Sequence, residues 1–290
     1  MTPNPIKGTK NHFRKIIIQN ITNYNSPYGG LKGLMVLIQI QQIKTAQILL
    51  LSASTLATQL QKSCTVLSFV DADDLIIERE KELESFLTTN HLTEIKIVVC
   101  SIKTNTLYSV CEKLDALFLF IQLPETGSKS IRTALSACRD LRIPYVLYKD
   151  TFTSLDLKKV ILPIGFLEEE MEKAQFAAAF GRFCNSEVKM LLANDYGSKA
   201  AANADKMKSL FDKFNFGYTL DKATRDSFKV EVEAIQVAEN EQAGIIIVSA
   251  SRDYGLDDIL FGPKEYHVVK KSPVPVLLVN PRGDLYSLCD

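Results

Sequence analysis

The chain has 290 residues, 46% of them hydrophobic and 23% charged, enough for one large α/β domain or two smaller ones. Its 34 Lys and Arg balance 34 Asp and Glu, which removes any long-range electrostatic pull toward nucleic acid or an anionic membrane. No apolar stretch approaches the ~20 residues of a membrane helix, and "MTPNPIKGTKNHFRK" at the amino terminus lacks the apolar core of a secretory signal. Six cysteines, Cys64, Cys100, Cys111, Cys138, Cys184 and Cys289, form no CxxC pair. Reduced structural thiols in a soluble cytoplasmic protein are therefore expected, with no nucleic-acid or membrane partner.

In chain order, apolar runs of strand length alternate with helix-period segments, the pattern of parallel α/β units. The first half offers "RKIIIQN" (14–20), "AQILLLSAS" (46–54), "EIKIVVCS" (94–101), "ALFLFIQ" (116–122) and "PYVLYKD" (144–150) as strands. "YGGLKGLM" (28–35) reads as a turn into the first helix, since its glycines match neither GxGxxG nor GxxxxGK[ST]. "DADDLIIEREKELESFLTTN" predicts a helix with Asp71, Asp73 and Asp74 at its amino-terminal cap. "KDTFTSLDL" breaks the pattern without apolar periodicity, placing a boundary near residues 151–156.

The second half repeats the series with "KKVILPIGF" (158–166), "EVKMLLAND" (187–195), "GYTLDKA" (217–223), "AGIIIVSAS" (243–251) and "PVPVLLVN" (273–280). Both halves open on a basic residue before a strand and close on a proline-led strand. The opening lysines, Lys15 and Lys159, are 144 apart, and the closing prolines, Pro144 and Pro275, are 131 apart. A tandem duplication of one five-stranded unit is the natural reading. Glu168, Glu169 and Glu170 begin a helix whose apolar positions form one stripe, so they are expected as capping residues rather than metal ligands.

No catalytic constellation is visible. His12, His91 and His267 are isolated from one another, and no HExxH, GxSxG or DxDxDG pattern occurs. Neither a catalytic residue nor a metal site is expected.

The segment "IIIVSASRDYGLDDILFGPKEYHVVKKSPVPVLLV" carries a more specific signal. Its order of strand, long loop, glycine, helix and proline-led strand resembles the carboxy-terminal signature of the universal stress protein family, G-x2-G-x9-G-[ST] followed by a helix and a "PVLVV"-like strand. The tandem layout is similar to the two-domain members. The resemblance implies an α/β fold of two tandem five-stranded parallel-sheet domains, adenine-nucleotide alpha hydrolase-like and of Rossmann type, over residues 1–150 and 151–290. It further implies that the fifth strands, "PYVLY" and "PVLLV", pair antiparallel, making the chain a pseudo-dimer of itself with a homodimer of chains also open.

Carried over position by position, the signature is incomplete. Its first and second glycines fall on Ser249 and Arg252, its third is Gly262, and Pro263 replaces the Ser or Thr, with Lys264 next. Glycines there let backbone N–H groups approach a phosphate; side chains at 249 and 252 occupy that space, and Pro263 has no N–H to donate. It suits the first helical position instead. The aspartate that nucleotide-binding members carry after the first strand is Gly165 here, and Ile21 in the first half. The first half keeps Gly127-Ser128 but reaches it after only "LPET", without the long loop.

Gly165, Ser249, Arg252, Gly262, Pro263 and Lys264 thus outline a degenerate nucleotide site. The resulting expectation is a non-catalytic stress-response protein with a regulatory or binding role and no tightly held cofactor. The alternative is an ATP binder or slow ATPase, with Arg252 as a guanidinium for the phosphates.

Overall fold

The computed structural model describes residues 34–124, 127–251 and 263–281. It is an α/β structure built on one ten-stranded sheet. The strands are β1 (Met35–Ile40), β2 (Ser63–Val70), β3 (Lys96–Ser101), β4 (Ala116–Leu123), β5 (Tyr145–Lys149), β6 (Lys159–Ile164), β7 (Glu187–Leu192), β8 (Tyr218–Lys222), β9 (Ile245–Ser249) and β10 (Val276–Val279). Their spatial order is β3-β2-β1-β4-β5-β10-β9-β6-β7-β8. Within each half every pairing is parallel and the order is the same, 3-2-1-4-5.

The helices cover both faces, which is why the central strands are apolar on both sides. On one face lie α1 (Gln47–Gln59), α2 (Ile76–Thr89), α5 (Glu172–Phe183) and α6 (Lys199–Phe214), packed on Ile38, Phe120, Leu162 and Ile247. On the other lie α3 (Leu107–Lys113), α4 (Ser128–Cys138), α7 (Val230–Asn240) and α8 (Lys264–Lys271), packed on Leu37, Leu119, Ile161 and Val248.

The halves join where β5 and β10 run antiparallel, with Leu277 opposite Val146 and flanking pairs Val276–Leu147 and Leu278–Tyr145. Lys149 and Asn280 stand five residues beyond Pro144 and Pro275 respectively, and each caps a helix of the other half. The buried Lys149 ammonium donates to the Ser272 and Lys270 carbonyls at the end of α8, at 2.8 and 3.2 Å. Asn280 Nδ2 donates to the Cys138, Leu141 and Arg139 carbonyls at the end of α4, at 2.7, 2.9 and 3.1 Å. Such carbonyls belong to helix ends, where the intrahelical ladder has run out, although that of Cys138 also accepts from the Leu141 N–H at 3.0 Å.

All five strands expected in the second half are found. In the first half, the stretch 14–20 lies outside the described residues, and "AQILLLSAS" forms helix α1 rather than a strand. Its buried residues, Leu49, Leu50, Ala53, Leu56 and Ala57, recur at helical spacing, while Ile48 and Leu51 are 38% and 42% exposed. Two strands that were not expected open this half: Met35, read as the end of a turn, begins β1, and "SCTVLSFV" is β2. Met35 and Lys159 are 124 residues apart, as are Ser63 and Glu187, so the halves are offset by 124 at their openings rather than 144.

Other expectations change in detail. Asp73 sits in a 3-10 turn ahead of α2, and no side chain caps either the turn or the helix. In the crossing from β5 to β6, Phe152 and Leu157 are buried, and Phe152 meets Tyr148 edge-on at 5.3 Å. Gly244 is required beneath this crossing, because a methyl there would overlap the Asp156 carbonyl. The described cysteines are free, and burial pushes the Cys64 and Cys111 thiols up to about 12, as inert structural thiols require.

Replacing Asn280 with Ala removes three donations to the end of α4. The expected result is a loss of about 1–3 kcal/mol of stability, read as a lower urea midpoint at unchanged slope.

Candidate functional site

In an open parallel sheet, ligands bind beyond the carboxyl ends of the strands where the strand order reverses. This sheet has two such points, between β1 and β4 and between β6 and β9.

At the β6–β9 point the chain leaves the sheet through Gly165. Its N–H is held by Glu170 Oε2, and its carbonyl accepts from Asn203 Nδ2 at 3.0 Å. A side chain at 165 has no room: its Cβ would lie 2.9 Å from both Glu170 Oε1 and Ser227 Oγ. Ser227 is itself fixed by Asp195, which accepts from its N–H at 2.8 Å and from its hydroxyl. Glu170, from the 3-10 turn Glu168–Met171, therefore places a carboxylate directly beside Gly165. Glu170 is thus no helix cap but a buried ligand of the backbone, 4% exposed.

From Glu170 a chain of charge crosses the end of the sheet. Lys173, on α5, is 1% exposed and lies 3.5 Å from Glu170 Oε2. On the opposite face Lys264 Nζ pairs with Glu231 Oε1 at 3.1 Å, and the fully buried Glu265 accepts from Ser251 Oγ at 2.8 Å. Burial holds the Lys173 ammonium below its usual pKa, opposed by Glu170 and Glu231 and reinforced by Lys264. For Lys264, burial lowers the pKa, but Glu231, Glu170 and Glu265 together outweigh it and the net shift is upward. Glu265 is raised by burial, partly offset by its N–H and Ser251 hydrogen bonds and by Lys264.

At the β1–β4 point the same task falls to a neutral group. Gln122, fully buried on β4, accepts from the Gln41 and Gln42 N–H groups with Oε1 at 2.8 and 2.9 Å. Its Nε2 reaches the Gln42 carbonyl and Thr45 Oγ1 at 3.0 Å, and Asp150 Oδ1 at 3.1 Å. Arg79 adds a donation to the Gln41 carbonyl at 3.1 Å. The residue that follows β1 is thus Gln41 rather than Ile21, which lies outside the described residues.

Of the residues singled out from sequence, Gly165 and Lys264 both communicate with Glu170 at the β6–β9 point. Ser249 ends β9 there, and its buried hydroxyl has no hydrogen-bond partner among the described residues. Pro263 is the N-cap of α8 rather than its first helical residue. Arg252 and Gly262 lie outside the described residues, as does His12. His91 occupies a left-handed turn after α2, and His267 stands edge-on to Tyr266 at 5.0 Å. Among the described residues no group of three His, Cys, Asp or Glu could hold a metal, and no helix is long and apolar enough to cross a membrane.

Lys173, Glu231, Glu265 and Gln122 escaped the sequence reading, and Glu170 entered it only as a capping residue. Gln122 left one trace, a lone amide inside the apolar run "ALFLFIQL". The glutamates left none that separates them from solvated ones.

No protein-family model matches the sequence, and no curated protein matches it. Solved structures do share its fold. A universal stress protein from Archaeoglobus fulgidus DSM 4304 superposes with a TM-score of 0.64 at 13% identity, over 86% of this chain and 97% of that one. A Pseudomonas aeruginosa UCBPP-PA14 protein provisionally assigned to the same family gives 0.58 at 11% identity, over 89% and 97%. The cytoplasmic domain of a prokaryotic cation chloride cotransporter gives 0.50 at 14% identity, over 84% and 94%. At these identities the likeness establishes the fold: two five-stranded, Rossmann-type halves in one chain.

Two outcomes follow from the charged crevice. Glu170→Ala strands the Lys173 ammonium in the interior, and a loss of about 3–5 kcal/mol is expected in urea unfolding. Because the folded Glu265 pKa lies above its ordinary 4.5, the folded chain binds the extra proton between the two values. Stability therefore falls as pH rises through that window, and Glu265→Gln should flatten this limb of the stability profile.

Proposed function

We propose that this chain is a non-catalytic protein of the universal stress type, with a regulatory or binding role in a stress response and no tightly bound ATP. One observation carries the reading: at both points where the fold offers a ligand crevice, the described N–H groups that follow the first strand, those of Gln41 and Gln42 in one half and of Gly165 in the other, already have internal acceptors in Gln122 and Glu170. A phosphate entering the second half would face Glu170, Glu231 and Glu265, against the ammoniums of Lys173 and Lys264. The fold neighbour that is the cytoplasmic domain of a cotransporter supports a role as a module within a larger system.

A second reading is favoured by Ser249, whose buried hydroxyl is unpartnered among the described residues at the end of β9. It makes the protein an adenine-nucleotide binder or slow ATPase, with Arg252, Gly262 and Lys264 around a divergent phosphate site.

Calorimetry of the nucleotide-free protein with ATP and Mg²⁺ separates the two. No heat of binding up to millimolar ATP is expected. Micromolar binding that disappears in Arg252→Ala would overturn the first reading and establish the second.

A further inference from the structure

A cleft of about 320 Å³ opens at the amino ends of β9 and β10, at the edge of the sheet opposite the β6–β9 crevice; the antiparallel seam puts the β1–β4 crevice at the same edge as the cleft, beyond β5. It lies between the β5–β6 crossing, the end of α7 and the turn that precedes β10. Its volume is in the range of small-ligand sites, about 300–1,000 Å³. Phe152 and the rings of Pro273 and Pro275 supply apolar walls, while Asp156, Glu239 and Gln242 supply the polar ones.

Among the described residues no Lys, Arg or His lines the cleft, but two carboxylates do. The Lys149 ammonium lies behind the wall, 5.4 Å from the centre of the Phe152 ring, and is already given to the Ser272 and Lys270 carbonyls. Helix α7 ends within it, so the negative end of its dipole adds to the same sign. Lys159, at the start of β6, is held by Glu241 at 3.2 Å, and the exposed Lys158 and Lys271 are not part of the lining. The prolines contribute no N–H. A phosphate or carboxylate would find two carboxylates and no cation on the described walls; a group rich in N–H donors would find acceptors against flat apolar surfaces.

We propose that this cleft is a binding site for a small organic cation, an amine or guanidinium compound, separate from the crevices at the carboxyl ends of the strands. Asp156 and Glu239 receive its charged donors, and Phe152 with the two prolines holds its aliphatic part. Gly244 keeps the site in shape by letting the Asp156 carbonyl settle on the start of β9.

Agmatine, which carries both an ammonium and a guanidinium, is the probe. Calorimetry with the full chain is expected to show saturable binding, accompanied by a rise in melting midpoint. The double variant Asp156→Asn, Glu239→Gln should bind about tenfold or more weakly. Thr153→Lys, which places an ammonium on the exposed rim, should compete with the ligand without touching the core. Unchanged melting midpoints of the ligand-free variants show that they are folded. Absence of saturable heat, full binding by both variants, or equal binding of inorganic phosphate overturns the proposal.

Discussion

The antiparallel seam between β5 and β10 is the constraint on which the rest of this molecule depends. Its register is centred on Val146 and Leu277, each two residues after its proline, so the two halves meet at equivalent positions. Strand edges of this kind invite pairing with another chain unless they are covered. Here each half covers the other, and the sheet is left with β3 and β8 as its outer edges. The seam also reaches beyond the sheet: Lys149 and Asn280 close the final helix of the opposite half. Lys149 carries its charge into the interior to do so, and burial lowers its pKa. Helix-end carbonyls carry partial negative charge and suit that ammonium. A change at the seam is therefore felt at both helix ends as well as in the strands.

With the halves locked in this way, the two reversal points of the strand order lie on either side of the seam. Each presents backbone N–H groups with no strand to pair with, and such groups must find acceptors or water. A nucleotide phosphate is one solution. Gln122 and Glu170 are another, and they differ in what they demand of their surroundings. An amide is neutral and satisfies donors and acceptors together, whereas a buried carboxylate needs a counter-charge. Lys173 is that counter-charge, and its own burial in turn calls on Glu231, which Lys264 also pairs with. One carboxylate placed at Gly165 thus accounts for a chain of ions that runs from α5 across the sheet ends to α7 and α8.

The second half was legible in the sequence because its strands are β-branched runs bounded by proline, glycine or charge, as in "AGIIIVSAS" and "SPVPVLLV". The first half was less so. In α1 the run Ile48–Leu51 has the length and apolarity of a buried strand, and only the spacing of Leu49, Leu50, Ala53 and Leu56 over three turns marks it as a helix. Short apolar runs are ambiguous for this reason. Of the degenerate positions, Gly165 and Ser249 lie beside the crevice at the ends of β6 and β9. They could not show that Glu170 fills it, since Glu168, Glu169 and Glu170 are equivalent as letters and only tertiary packing buries the third.

The two closures are not equally firm. In the first half an incoming anion would displace a neutral amide and then meet Asp150, whose carboxylate accepts from that same Gln122 nitrogen. Removing the amide leaves an acid exposed to the anion, and their repulsion adds to the lost hydrogen bonds. In the second half an anion would exchange one negative group for another at the Gly165 N–H, and Lys173 could serve either. That exchange conserves the pairing of charge, so its cost is set by moving Glu170 and by the nearby Glu231 and Glu265. Side chains that add positive charge at the start of α8, such as Lys264, bear directly on this balance. In the first half they would have nothing comparable to act upon.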